Sequence, residues 1–133
     1  MAGPFHHRNL TAPASLERID DFGVFRPMGS CTFQQAVQLI ASAITSAREQ
    51  GLDKLLLVIT GLTGFNPPSL SERHEMVRGW AEAAQGRLKL AMVTPPELID
   101  PERFGVIAAA NFGLRSYVCT SESDAIAWLH EVP

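Results

Sequence analysis

The chain is short of several things, and each shortage closes off a class of function. It has only two cysteines, Cys31 and Cys119, in 133 residues. No apolar core of the signal-peptide kind occurs in MAGPFHHRNLTAPAS. The pair therefore reads as reduced thiols of a cytoplasmic protein, not as a disulfide framework. No apolar run, Leu55 to Ile59 included, approaches the ~20 residues that a membrane-spanning helix needs. Basic clusters are missing too. The 11 Lys and Arg are scattered against 14 Asp and Glu, for a net charge of -3, so nucleic acid is not the expected partner.

The usual catalytic signatures are also absent. There is no Walker loop, no dinucleotide glycine pattern and no G-x-S-x-G. A cysteine phosphatase loop built on Cys31 requires Arg six positions on, where Val37 stands. Asp20-Asp21 reads as a turn, and Glu97 and Asp100 as the approach to a helix, not as an acid–base pair. His74 sits among charged residues, as on a solvated helix face. His6 and His7 are adjacent but lack the further ligands of a metal site. Two thiol or cofactor readings stay open. Cys31, next to a helix start, is a candidate for a lowered pKa, and Gly29-Ser30-Cys31-Thr32 is a weak candidate for a flavin phosphate loop.

What the chain does have is strict alternation. Residues 1–15, with two prolines and no periodicity, read as a mobile tail. Leu16 to Ile19 and Phe22 to Met28 flank the Asp20-Asp21 turn as an antiparallel hairpin, with Pro27 marking a strand end. Thr32 and Gln35 have capping-box spacing. Phe33, Ala36, Val37, Ile40, Ile44 and Ala47 then recur at helical spacing up to Gly51. Lys54 to Ser71, KLLLVITGLTGFNPPSLS, follows. Its apolar run predicts a central parallel strand with helices on both faces, and the loop leaving that strand is where open α/β folds place ligands and partners.

Ser69 and Glu72 repeat the capping box, before an inner stripe of Val77, Trp80, Ala81 and Ala84 that ends at Gly86. Leu88 to Val93 is a second apolar strand. Asp100-Pro101 predicts a third helix with Phe104, Ile107, Ala108 and Phe112 facing inward and Gly113 as its stop. Tyr117 to Cys119 is a short last strand. Ser121 caps a final helix with Ala125, Trp128, Leu129 and Val132 on one face. Short joints and strict strand–helix alternation imply parallel strands with right-handed crossovers in a single α/β domain over residues 16–133.

The strand LLLVITGLTGF, the serine-capped helix after it, the strand KLAMV and the ending YVCTSESDAIAWL together resemble the STAS-like superfamily. That group comprises the bacterial SpoIIAA-like anti-sigma-factor antagonists and the related CRAL-TRIO lipid-binding fold. The resemblance spans Leu16 to the C-terminus. It implies a STAS-like βα superhelix with four to five mostly parallel strands and about four helices. It also implies a non-enzymatic regulatory or protein-interaction module of a bacterial cytoplasm. In the antagonists a serine at the start of the helix after the second core strand is phosphorylated, which makes Ser69 and Ser71 the candidates here. The family's Asp on the strand and Asp before the target serine are replaced by Val58 and Pro68.

The strand ends gather hydroxyls and apolar groups without a charged pair, an inventory that suits binding. Met28, Ser30, Thr60, Gly61, Leu62, Thr63, Phe65 and Thr94 are the candidate partner- or ligand-binding residues. For the 61–68 loop three readings remain. It is a lid over an apolar pocket that takes a small molecule or lipid, with peripheral membrane contact. It is a contact surface for a second protein. Or it is a loop folded onto its own core by Phe65. No cofactor, metal or catalytic residue is expected, and the edge strand near the N-terminus suggests a homodimer.

Overall fold

The computed structural model describes residues 16–131. The expected tail at 1–15, its two histidines and Val132 lie outside the described residues. From Leu16 the chain enters an antiparallel hairpin of β1 (Glu17–Ile19) and β2 (Phe22–Phe25), turning at Asp20 with φ 53°. At Arg26 the chain leaves this pairing, earlier than Met28. Gly29–Ser30 forms a separate short strand, β3. Helix α1 (Phe33–Glu49) starts at Thr32, whose Oγ1 accepts from the Gln35 amide at 3.0 Å, while Gln35 Oε1 accepts from the Thr32 amide at 2.9 Å. It ends in a Schellman motif. The Leu52 amide donates to the Ala47 carbonyl, the Gly51 amide donates to that of Arg48, and Gly51 has φ +78°.

The chain continues through β4 (Lys54–Val58), β5 (Leu62–Thr63), α2 (Leu70–Ala84), β6 (Lys89–Val93), α3 (Phe104–Asn111), β7 (Arg115–Cys119) and α4 (Glu122–His130). The main sheet has the order β1-β2-β4-β6-β7 and is parallel except for β1. β3 and β5 pair with each other in a second, two-stranded sheet. The expected central strand is therefore central. Leu55, Leu56 and Leu57 are all fully buried.

Strand alternation divides the core into two layers. Phe25, Leu55, Leu57, Ile59, Leu90 and Met92 meet α1, α2 and α3 on one face. Phe22, Val24, Leu56, Val58, Ala91 and Val93 meet α4 on the other. Within the first layer the predicted stripe of Val77, Trp80, Ala81 and Ala84 is the buried face of α2. The indole Nε1 of Trp80 donates to the Val37 carbonyl at 3.1 Å and ties α2 to α1.

One helix departs from expectation. Asp100 is not its N-cap and Pro101 not in its first turn. The Asp100 carboxylate accepts from the amides of Glu102 at 3.3 Å and Phe104 at 2.7 Å across a turn ahead of the helix. Arg103, left-handed at φ 59°, holds the cap position without a side-chain cap, and α3 begins only at Phe104. Ile107 and Phe112, expected inward, are exposed, and Ala108 and Ala109 fill the interior instead. The helix is apolar nearly all round, so its sequence carries no periodicity to say which face is inner. The inner face goes to small side chains because α3 packs closely beside α2: a Cβ at Gly105 would lie 3.2 Å from Arg73 Cδ.

Candidate functional site

Two loops leave the carboxyl ends of β2 and β4, and they are zipped together. The Gly29 amide donates to the Gly61 carbonyl at 3.0 Å, and the Cys31 amide donates to the Thr63 carbonyl at 2.9 Å. The loops approach so closely that Gly64, at φ +101°, has no room for a side chain. A Cβ there would lie 2.7 Å from both the Cys31 carbonyl oxygen and Ser30 Oγ. Leu62 is buried and anchors the ladder from beneath. Phe65 is half-buried and leans on Phe33 at 6.2 Å between ring centroids. The result is a braced rim in place of two independent loops. Met28, 56% exposed, Thr60 and Thr63 stand on its outer side, and Leu70, 61% exposed, follows at the start of α2. Gly61 and Ser30 lie in the ladder, partly covered.

The two candidate serines are not equivalent. Ser69 is the α2 cap: its Oγ accepts from the Glu72 amide at 3.1 Å, and Glu72 Oε1 accepts from the Ser69 amide at 2.9 Å. Ser71, two residues on, is exposed on the first turn.

Thr94 lies away from the rim surface. It is 2% exposed and turned into the molecule, on the same face of β6 as Leu90 and Met92. There it borders a partly open cavity of about 100 Å³ between the sheet and α1, α2 and α3, which Phe65 and Pro68 also line. Thr94 Oγ1 is buried and has no hydrogen-bond partner among the described residues. The sequence held the signal for this. Thr94 continues the alternate-residue register of Leu90 and Met92, and that parity decides its direction.

Cys31 is 6% exposed, and burial pushes its thiol above the ordinary cysteine range, opposite to the lowered pKa expected of a cysteine at a helix start. The phosphate-loop reading of Gly29 to Thr32 meets a similar obstacle. The amides of Gly29, Cys31 and Thr32 already donate to Gly61, Thr63 and Gln35, so they offer nothing to a bound phosphate. His74 is exposed, with its ring edge-on to Phe112 at 5.2 Å. Among the described residues no helix is long and apolar enough to cross a membrane.

Three solved structures share this architecture. The anti-sigma factor antagonist SpoIIAA, in its unphosphorylated form, is 20% identical over 90% of this chain and 99% of its own, with a TM-score of 0.52. An anti-sigma factor antagonist from Mycobacterium paratuberculosis is 16% identical over 92% of this chain and 100% of its own, with a TM-score of 0.56. A DUF3478-family protein with a SpoIIAA-like fold from Shewanella loihica is 20% identical over 97% and 98%, with a TM-score of 0.52. No protein-family model matches the chain, and no curated protein matches it in sequence. The fold is the SpoIIAA-like, STAS-like α/β fold.

Proposed function

We propose that this protein is a non-enzymatic regulatory module of a bacterial cytoplasm that works by docking a protein partner on the rim of the two zipped loops. The observation that carries the reading is the braced ladder of Gly29–Ser30 on Leu62–Thr63. It holds exposed Met28, Thr60 and Thr63 in fixed register, next to exposed Leu70. Loops that remain free of one another lose entropy on docking, whereas a preorganised rim has already lost it. An exposed methionine and leucine flanked by threonines suit a protein surface better than a charged substrate. The likeness to anti-sigma factor antagonists supports the same reading, at the level of fold.

If the docking is switched by phosphorylation, Ser71 is the residue that takes the phosphate. Ser69 spends its oxygen on the helix cap, whereas the Ser71 side chain is exposed one turn from the rim. A phosphate there adds negative charge at the positive end of the helix and beside the docking surface. The test is affinity capture of bacterial cytosolic protein on the full chain, with any retained partner then measured against Met28→Glu and Thr63→Arg. Loss in both variants supports the rim. A partner held equally by both variants refutes it. A second copy of this chain is one partner that the experiment distinguishes by mass.

A further inference from the structure

The cavity between the sheet and the three helices is apolar in most of its lining, with Ile40, Val77, Trp80, Met92 and Ala109 among its walls. Six polar residues break that character, Arg73, Thr94, Asp100, Arg103, Ser116 and Tyr117, and two of them bear on a ligand. One is the Thr94 hydroxyl, which is buried and unpartnered among the described residues. Taking a hydroxyl out of water without a new hydrogen bond is unfavourable, and native structures tolerate few such groups. The other is Arg73. Three charged residues line the cavity. The Asp100 carboxylate is occupied by the amides of Glu102 and Phe104, and Arg103 donates to the Val118 carbonyl at 2.9 Å. The Arg73 guanidinium makes neither a hydrogen bond nor an ion pair among the described residues, its backbone amide alone donating, to the Ser69 carbonyl at 2.9 Å. Its stem lies against α3 at a glycine: a Cβ at Gly105 would come within 3.2 Å of Arg73 Cδ and 3.4 Å of Cγ.

We propose that this cavity binds a small carboxylic acid. Its apolar part sits among the helices, and its carboxylate takes the Arg73 guanidinium and the Thr94 hydroxyl. The cavity's size sets the ligand class. At about 100 Å³ with a partly open mouth, smaller than the enclosed apolar cavity of about 150 Å³ that accepts benzene, it suits a short alkyl chain or a single ring that stays partly in the mouth. The charge sets the headgroup. A guanidinium without a partner among the described residues, lining the same cavity as a hydroxyl donor, suits a planar oxyanion, and the apolar walls strengthen that contact by excluding water. This inference is separate from the docking rim. It rests on the inner face of β6 and on α2 and α3.

The experiment titrates the full chain with benzoate and hexanoate, and with benzyl alcohol and hexanol as neutral matches of similar size. It follows the fluorescence of Trp80 in a Trp128→Phe background and backbone amide shifts by NMR. The acids are expected to saturate with a Kd below about 1 mM, and the alcohols to bind roughly tenfold more weakly. Arg73→Gln is expected to remove the preference for the acid. Thr94→Val keeps the shape of the side chain and deletes only its hydroxyl, so it is expected to weaken the acids severalfold without lowering the melting temperature. Ala109→Leu, which narrows the cavity, is expected to block both classes. The proposal is overturned by no saturable shift up to about 10 mM, by equal affinity for acids and alcohols, or by variants that all bind as the wild type does.

Discussion

The ammonium nitrogen of Lys89, on β6, donates to the carbonyl oxygen of Trp128, on α4, at 2.7 Å, and lies 4.6 Å from the centroid of the same tryptophan's ring. It also donates to the Glu131 carbonyl at 2.9 Å. One buried lysine thus closes the carboxyl end of the last helix from within the sheet, satisfying carbonyls that a helix end leaves without partners. The Trp128 ring also stacks on Tyr117, at 5.5 Å between centroids. Lys89→Met, which keeps the stem and removes the charge, should therefore lower unfolding stability by about 1–2 kcal/mol. Urea denaturation followed by circular dichroism measures it, and the rim and cavity should keep their properties in this variant.

The zipped loops make a sharper prediction. Gly64→Ala meets both a left-handed backbone and two atoms at 2.7 Å, so relief requires the ladder to part. The loss should be at least ~2 kcal/mol. Gly51→Ala is the control. Its φ is also positive, at +78°, but nothing lies within 4 Å of an added Cβ. Only the backbone penalty remains there, about 1 kcal/mol. Equal losses at the two sites would mean that the loops are not braced.

The capping asymmetry of the serines can be read by stability alone. Ser69→Ala removes the acceptor for the Glu72 amide and should cost ~1 kcal/mol. Ser71→Ala, on the exposed face of the first turn, should stay within ~0.5 kcal/mol of wild type.

Burial raises the Cys31 thiol, and this has a pH signature. In the unfolded chain the thiol ionises at its ordinary pKa, while in the folded chain it holds its proton to higher pH. The unfolded state therefore binds fewer protons in the interval between the two values. Stability is unaffected below the unfolded thiol pKa and falls as pH rises above it. Iodoacetamide at neutral pH should leave Cys31 unmodified until denaturant is added, and Cys31→Ala should flatten the alkaline decline.

Much of this molecule was legible in the chain itself, and the reasons are local. Five apolar residues from Leu55 to Ile59 marked the middle of the sheet. Ser or Thr with Gln or Glu three residues on placed the starts of α1 and α2, and the stripe of α2 followed from helical spacing. The β3–β5 ladder could not be read that way. It is two residues long on each side, has no periodicity, and is written only in Gly29 and Gly64, whose positive φ values become meaningful once the loops meet. The inner face of α3 was hidden for a related reason. FGVIAAAN is apolar on every side, so packing against Arg73 and Val77 decided that the alanines, and not Ile107 and Phe112, would be buried. The direction of Thr94 was available from strand parity, but the cavity it faces depends on three helices distant in sequence.

The measurement that bears most directly on the account is the affinity of a captured protein partner for a short series of surface variants. Met28→Glu changes the rim, whereas Ile107→Glu changes an equally exposed apolar residue on α3, each being 56% accessible. The account predicts that Met28→Glu weakens the partner by at least tenfold, about 1.4 kcal/mol, while Ile107→Glu stays within about threefold of wild type. A partner that tolerates Met28→Glu and is lost with Ile107→Glu would contradict it, and would move the docking surface to α3.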